Sequence, residues 1–252
     1  MYESSIENPL LYFSRRLFVA LAGLFFLYFC ALGAAQAELV IGHGVSRVIF
    51  PQTTDKMTLR LANSEATDYL VIHTVLDADG RSRTNDFIVT PEVRELKSGS
   101  ESQMVLRRIT SKAPTDRESL YLLDTRLIPK QAAEKKHQSG MDMMYAVQQK
   151  ILLRPEKLKV EESTAGAHKT LEFVRDKSGV KVINHSPYVR VLNSLTLDGE
   201  SVEVPIAVCN VPPFGEMHYP TSHDAKLIEW TLINDLGFPT QVQQSPLNHN
   251  AS

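Results

Sequence analysis

The amino-acid sequence predicts an all-β protein made of two antiparallel sandwiches. Short segments of alternating or β-branched character recur about every eight to twelve residues, from RVIF to MMYAVQQKILLRP in the first half and from LEFVRD to KLIEWTLIND in the second. Turn-rich pieces such as DADGRSRTND and KSGSES separate them. After the N-terminal region, no segment keeps a helical period through about three turns with a cap at each end. About seven strands fit before Pro155, the number in one immunoglobulin-like domain, and the second series supplies another sandwich.

Residues 1–37 have the pattern of a cleaved signal peptide. Arg15 and Arg16 precede an apolar run that begins at Leu17, and the small residues of AQA close it at positions 35–37. The pattern predicts export, with an uncleaved membrane anchor as the alternative. Cys30 leaves with the signal, so Cys209 stands alone and we expect no intrachain disulfide.

A change of composition divides the exported part. The stretch EKLKVEESTAG, after Arg154-Pro155, is charged and has the low apolar content of a connection between domains. We therefore predict an N-terminal immunoglobulin-like domain over residues 38–157 and a C-terminal β-sandwich domain over residues 158–252. In the second, Asp198-Gly199 predicts a tight turn, because glycine accepts positive φ and aspartate tolerates it. The polar end QVQQSPLNHNAS is predicted to be a loose tail.

The sequence has few features that indicate catalysis or nucleic-acid binding. The formal net charge of −2 leaves no global basic field for nucleic acid. His218 and His223 have the spacing of a pair of zinc ligands but no obvious partner cluster, and no serine lies in a G-x-S-x-G elbow. Cys209 is predicted to be a small side chain at a strand end. We predict no catalytic residue, no metal and no cofactor, with a secreted hydrolase or metal-binding enzyme as a rival interpretation.

Three cations lie in the two strands that are predicted to end near the domain boundary. Arg47 lies in the first strand, SRVIFP, while Lys150 and Arg154 lie in the last strand before the connection. In an immunoglobulin-like sandwich both strands can end near the junction with the next domain, where the cations would converge. The alternative is that they are solvated strand residues whose stems lie along the sheet.

Several motifs occur in a fixed order along the chain. SRVIFP, LANSEATDYLVIHTVLD, DFIVTPEVRELKSGSESQMVLRRI, DRESLYLLDTRLIP and QQKILLRP are followed by VINHSPYVRVLNSLTLDG, VPPFGEMHY and EWTLINDLGFPT. In this order they resemble the periplasmic chaperones of the chaperone–usher pilus pathway. The resemblance implies two immunoglobulin-like domains in an L shape around a cleft, a periplasmic location and no enzymatic activity. It also implies two partners, pilin subunits bound by donor-strand complementation and the outer-membrane usher that receives them.

The resemblance assigns a role to the stretch MDMMYAVQQKILLRP. Met141, Met143, Tyr145 and Val147 would be donor side chains that fill the open groove of a subunit, while main-chain bonds complete its sheet. The even-numbered neighbours Met144 and Ala146 are apolar too. Alternation alone therefore leaves open the alternative that the odd-numbered side chains pack inside the chain's own core.

Arg47 and Lys150 match the pair of cleft cations that, in this family, anchors the C-terminal carboxylate of the bound subunit. Such an anchor fixes register, because a slip of one residue would turn every donor side chain away from the groove. Lys150 has the opposite parity from Tyr145 and Val147. This predicts a bulge or twist in the strand, or a cleft reached around its edge.

Glu118, Arg154 and Asp235 match a third family feature, an ionic network between the two domains.

The charged segment KQAAEKKHQSG has a length between the short-loop and long-loop branches of the family, so the branch and the fibre type stay open. The rival of a structural pilin or adhesin would need an N-terminal extension, and residues 38–42 are too short for one. Self-association of the free protein is a reasonable expectation, since it would cover an exposed apolar strand.

Overall fold

The computed structural model describes residues 39–41, 47–110, 112–130, 144–158, 166–222 and 225–249. The predicted signal peptide, Met141, Met143 and His223 lie outside these ranges. Across the residues that are described, no helix is long and apolar enough to span a membrane.

The first half forms two facing sheets, with strand orders β1-β3-β7-β5 and β2-β9-β8-β4-β6. Neighbouring strands are antiparallel except β2 and β9, which run parallel. The strands are β1 Leu39–Ile41, β2 Arg47–Pro51, β3 Lys56–Asn63, β4 Tyr69–Asp77, β5 Phe87–Thr90, β6 Val93–Leu96, β7 Glu101–Arg108, β8 Ser119–Pro129 and β9 Tyr145–Arg154.

The second half forms another pair of sheets, with orders β15-β11-β10-β18 and β13-β12-β16-β17, and β14 pairs with β12. The strands are β10 Leu171–Asp176, β11 Gly179–Asn184, β12 Arg190–Leu197, β13 Glu200–Val202, β14 Asn210–Val211, β15 Glu216–Pro220, β16 Leu227–Leu232, β17 Gln243–Pro246 and β18 Asn248–His249. Short 3-10 helices occupy Ala167–Thr170 and Ile206–Val208.

Each half has its own apolar core, as the alternating patterns predict. In the first, Phe50 and Phe87 pack edge to face with ring centroids 5.1 Å apart. In the second, Phe173 and Trp230 lie 4.4 Å apart. Aromatic pairs of this kind add to the free energy of simple area burial. The two cores are separate clusters of buried residues, so each sandwich is stabilised largely from within.

The predicted turn at Asp198-Gly199 is confirmed. The two residues have φ values of 48° and 86° and join β12 to β13 as a two-residue hairpin. Primed hairpin turns need positive φ at both positions. The Asp198 carboxylate also accepts a hydrogen bond from the Leu227 amide at 2.9 Å, which ties the turn to β16.

The predicted loose tail is wrong over the part that is described. Strand β17 pairs antiparallel with β16, and β18 pairs parallel with β10. Between them Leu247 is buried in the second core. The polar side chains of β17 concealed its strand character, because the pairing uses backbone groups that every non-proline residue has.

A histidine lies inside the first core. His73 of β4 is fully buried and shares its face with Val71 and Val75. Its Nδ1 lies 3.0 Å from Thr125 Oγ1, while Nε2 has no hydrogen-bond partner in the described part of the chain. Burial, followed by the positive charge of Arg94, lowers the pKa of His73 to about 4. The imidazole is therefore neutral at neutral pH.

Acid is expected to destabilise the protein through His73. Its pKa in the folded chain lies below the ordinary value of 6.5, so the unfolded chain binds the proton more tightly. The stabilisation is fully present above about pH 6.5 and is lost as the pH falls towards about 4, a change of about 3 kcal/mol. Urea unfolding across this range should show a flatter pH dependence for His73→Asn than for the wild type.

The control is His185→Asn, because the imidazole of His185 is 59% exposed. Its pH dependence should follow that of the wild type. Equal pH dependence in the His73→Asn variant and the wild type would contradict the role given to burial.

Candidate functional site

Strand β9 has two faces with different surroundings. Ile151 and Leu153 are buried in the first core. Leu152, between them, packs instead in a junction cluster with Val189, Val191 and Cys209 from the second half. Odd-numbered residues of β9 therefore face their own sandwich and even-numbered residues face the second one, as the period of two requires.

The N-terminal part of β9 is exposed on both faces. Tyr145 and Val147 are 47% and 40% exposed although they have the parity of the core residues. Strand β8 pairs with this part of β9 on one side, while β2 pairs only from Lys150 onwards. Among the described residues, no strand pairs with residues 145–148 on that second side. An unpaired backbone edge here carries apolar side chains that are not sealed in their own core.

Of the alternatives predicted for this strand, the bulge is absent from the part that is described. The pairing of β8 with β9 runs in constant register from Ser119 opposite Leu153 to Leu127 opposite Tyr145. Lys150 consequently lies on the opposite face of β9 from Tyr145. Because successive side chains of a regular strand alternate, one strand can present apolar side chains on one face and a cation on the other.

Arg47 and Lys150 are register partners in the parallel pair β2–β9. The partners two residues further along, Ile49 and Leu152, both contact the junction cluster. Arg47 and Lys150 therefore share the face that looks towards the second sandwich. The structure brings them together on neighbouring strands, but their surroundings differ.

Lys150 borders an open cleft with a volume of about 400 Å³. Its walls include Arg81 and Leu122 from the first sandwich and Ile206 and Asn210 from the second. Ile206 is 84% exposed, so the wall that faces Lys150 offers an uncovered apolar side chain. The cleft combines an accessible cation with apolar surface.

Arg47, in contrast, is buried at 4% exposure. Its Nη1 donates a hydrogen bond of 3.1 Å to the Ile233 carbonyl of the second sandwich, and Nε has no partner in the described part of the chain. Burial lowers the pKa of Arg47, and the negative charges of Asp235 and Glu118 oppose that shift.

Arg154, at the end of β9, joins the two sandwiches through carboxylates on either side. Its Nε donates to Glu118 Oε1 at 2.6 Å, and Nη1 and Nη2 donate to the two oxygens of Asp235 at 2.7 and 2.9 Å. Glu118 Oε2 accepts from the Val189 amide at 2.8 Å. Glu118 precedes β8 and Asp235 follows β16, so the three side chains meet only in the folded chain.

The pKa values of Glu118 and Arg154 in this network are shifted by burial and by the charges around them. Burial raises the pKa of Glu118, and the Arg154 charge opposes that shift. Burial on its own would lower the pKa of Arg154, but its bonds to Asp235 and the charge of Glu118 raise it above the usual range. Charge-assisted bonds offset the desolvation of the buried guanidinium.

Two neighbours of the network were missed by reasoning from the sequence. The guanidinium carbons of Arg154 and Arg190 lie 5.5 and 5.1 Å from the centre of the Tyr188 ring, within cation–π range. Arg190 is buried and donates from Nε to Ser186 Oγ at 3.1 Å, and burial lowers its pKa to about 10. The available signal was an arginine between the valines of SPYVRV, a charge in an apolar strand.

The residues considered for enzyme chemistry do not assemble a site in the described part of the chain. His218 Nε2 lies 3.0 Å from Ser178 Oγ and 3.5 Å from Asp176 Oδ1, at an exposed turn. No group of three or more metal-ligating side chains occurs among the described residues. Cys209 is buried in the junction cluster, with Sγ 3.1 Å from the Ile206 carbonyl.

Two family models match the chain in tandem. The model described as "Pili and flagellar-assembly chaperone, PapD N-terminal domain" matches residues 40–159. The model described as "Pili assembly chaperone PapD, C-terminal domain" matches residues 166–244. Together they cover most of the chain.

Similar proteins include the chaperone protein FimC of Escherichia coli strain K12, 29% identical over 87% of this chain and 89% of FimC. Chaperone protein HifB of Haemophilus influenzae is 27% identical over 94% of this chain and 96% of HifB. Among solved structures, that of the Salmonella enterica SafA pilin in complex with the SafB chaperone matches with a TM-score of 0.72 and 26% identity, over 85% of this chain and 99% of the matched chain. These matches confirm the predicted all-β fold of two domains in an L shape.

Removal of Arg154 is expected to destabilise the fold strongly. Arg154→Leu would leave two carboxylates, one of them fully buried, without their cation, at a cost of about 3–5 kcal/mol. Urea unfolding at neutral pH measures the change. The matched control is Arg83→Leu, which breaks an ion pair to Glu92 whose side chains are 59% and 51% exposed, and little change is expected. Similarly small losses for both variants would show that the buried network does not stabilise the fold.

Proposed function

We propose a role in pilus assembly for this chain, which belongs to the PapD family of pilus-assembly chaperones. It is a periplasmic chaperone that binds newly exported pilin subunits by donor-strand complementation and delivers them to an outer-membrane usher. Relatives that match over most of their length are chaperone proteins, one of them a probable fimbrial chaperone, and one structural neighbour is a chaperone–pilin complex. This supports the chaperone over the pilin or adhesin alternative. The proposal includes no enzymatic activity and no cofactor.

The observation that carries the proposal is the exposed start of β9. Tyr145 and Val147 lie beside a backbone edge that no described strand covers. A subunit that lacks its final strand has a complementary groove and edge, and a donated strand supplies the missing backbone bonds. Donors at Met141, Met143, Tyr145 and Val147, each buried at roughly 1.5–3 kcal/mol, would give a gross gain on the order of ten before association and ordering costs.

Lys150 and Arg47 are proposed to anchor the terminal carboxylate of the subunit. Support comes from their register pairing, their common face and the open cleft beside Lys150. A carboxylate held there would sit at a fixed distance from Tyr145 and Val147 along β9. The anchor would thereby set the register in which donor side chains meet the groove.

The network of Glu118, Arg154 and Asp235 is proposed to hold the angle between the sandwiches, and so the shape of the cleft.

The sequence AQA supports removal of residues 1–37 on export to the periplasm. Domains over 38–157 and 158–252 are supported by the family-model limits at 159 and 166. Self-association of the free chaperone through β9 stays a prediction, which the mass of the purified protein tests.

Loss of either anchor cation is expected to remove the complex. Co-expression with the fimbrial subunit genes nearest its own gene should yield a one-to-one periplasmic complex. Lys150→Ala or Arg47→Ala should weaken it by about 2–5 kcal/mol, because a desolvated carboxylate loses its partner. The control is Lys56→Ala, an exposed lysine of β3. If both variants fold and still form the complex as the wild type does, the anchor is removed from the proposal.

Polar substitution of the donor side chains is expected to weaken subunit capture without unfolding the chaperone. Tyr145→Ser and Val147→Ser should each lower affinity about ten-fold or more, because the groove loses apolar contact. Met144→Ser is the matched control, since Met144 is 55% exposed and has the opposite parity. Titration calorimetry gives the affinities and urea unfolding the stabilities. If Tyr145→Ser and Val147→Ser instead destabilise the free protein with unchanged capture, these side chains serve the internal core.

A further inference from the structure

The two anchor cations are unequally accessible in the free chain. Lys150 borders the open cleft, whereas Arg47, its register partner, is 4% exposed. One Arg47 donor, Nη1, is taken by the Ile233 carbonyl, and Nε is buried with no partner in the described part of the chain. A carboxylate that enters the cleft therefore meets Lys150 first and finds Arg47 already engaged.

The segment that engages Arg47 is held from several directions. The Ile233 amide donates to the Val191 carbonyl at 2.9 Å. Asp235, two residues on, binds Arg154 through both carboxylate oxygens. Between them Asn234 Oδ1 accepts from the Leu236 and Phe238 amides at 3.0 Å each, which fixes the turn. We call residues 233–235 the latch, because they link Arg47 and Arg154 of the first sandwich to the second.

A client carboxylate can compete with the latch for Arg47. The Ile233 carbonyl is a neutral acceptor, whereas a carboxylate forms stronger, charge-assisted bonds with guanidinium and can accept from two of its donors. Nη2 lies beside Nη1 on the same edge of the planar guanidinium and supplies the second donor. Displacement of Ile233 would disturb a segment whose next contact is the Arg154–Asp235 pair. Occupancy of the cleft would thus alter the junction between the sandwiches.

We propose that the latch occupies Arg47 in the free chaperone and is displaced by the subunit's terminal carboxylate after that group has docked on Lys150. This inference rests on the proposed function. It makes client binding a sequential process in which the second anchor becomes available only when the domain junction loosens. Residues 233–235 then act as an autoinhibitory contact that delays full engagement until a carboxylate is present.

The test measures association of a synthetic peptide with the purified chaperone by stopped-flow fluorescence. The peptide carries the C-terminal strand of the fimbrial subunit encoded nearest the gene, with a free terminal carboxylate, and its C-terminal amide serves for comparison. Asn234→Ala and Asp235→Asn loosen the latch in different ways. Both should accelerate association of the free acid about five-fold or more and leave the amide unaffected. Leu236→Ser is the matched control, because that side chain is 66% exposed in the same turn.

Asn234→Ala separates the latch from simple charge steering, since it changes no charge. An acceleration confined to Asp235→Asn and abolished by high salt would come from charge steering and would overturn the latch. Hydrogen exchange gives a second readout. Amides of residues 234, 237 and 240, which are hydrogen-bonded in the turn, should exchange faster when the free-acid peptide is bound. Unchanged or slower exchange there would contradict displacement.

The outcomes distinguish the latch from the function on which it rests. If the folded wild-type chain binds neither peptide, the proposed function fails and the latch fails with it. If binding depends on the carboxylate and on Lys150, while Asn234→Ala and Asp235→Asn match the wild type, the chaperone role stands and the latch is wrong.

Discussion

The guanidinium of Arg154 is the contact on which the arrangement of the two sandwiches depends. It lies at the end of β9 and binds Glu118 from its own half and Asp235 from the other. A buried charge is tolerated only with its partners in place, so the relative position of the halves is constrained by hydrogen-bond geometry as well as by apolar contact. The junction cluster around Leu152 adds a small apolar surface beside this polar centre. Polar and apolar contacts between the two halves therefore meet at the same junction.

Strand β9 links this junction to the proposed client site because its two faces serve different purposes. Its odd-numbered residues complete the first core at Ile151 and Leu153, then continue as exposed apolar side chains at Tyr145 and Val147. Of its even-numbered residues, Gln148 and Lys150 line the cleft and Leu152 packs in the junction cluster. A regular strand keeps both series in fixed relation, since each residue advances about 3.3 Å. The rigid end of β9 can therefore hold the exposed end in position for a partner.

The polar centre of the junction is rich in cations. Arg47, Arg154 and Arg190 are all buried there, and Tyr188 lies within cation–π range of the last two. Replacement of a whole buried ion pair, both partners together, by apolar residues is often neutral or stabilising. Their presence is better explained by geometry and ligand chemistry than by stability. Arg47 in particular has a donor that the described residues leave unmet, a property suited to a site that receives an anion.

The sequence by itself determined the series of strands, the two cores, the turn at Asp198-Gly199 and the parity that separates Lys150 from Tyr145. These features follow from side-chain periodicity and turn chemistry, which are local. Resemblance added the grouping of Glu118, Arg154 and Asp235, which no spacing along the chain reveals. Only the tertiary structure decided that β17 and β18 join the sheets, that β9 is free of a bulge in its described part, and that Arg47 is engaged by Ile233. Each of these depends on backbone groups brought together from distant parts of the chain, and because nearly every residue carries the same backbone groups, their pairing leaves no mark in the sequence.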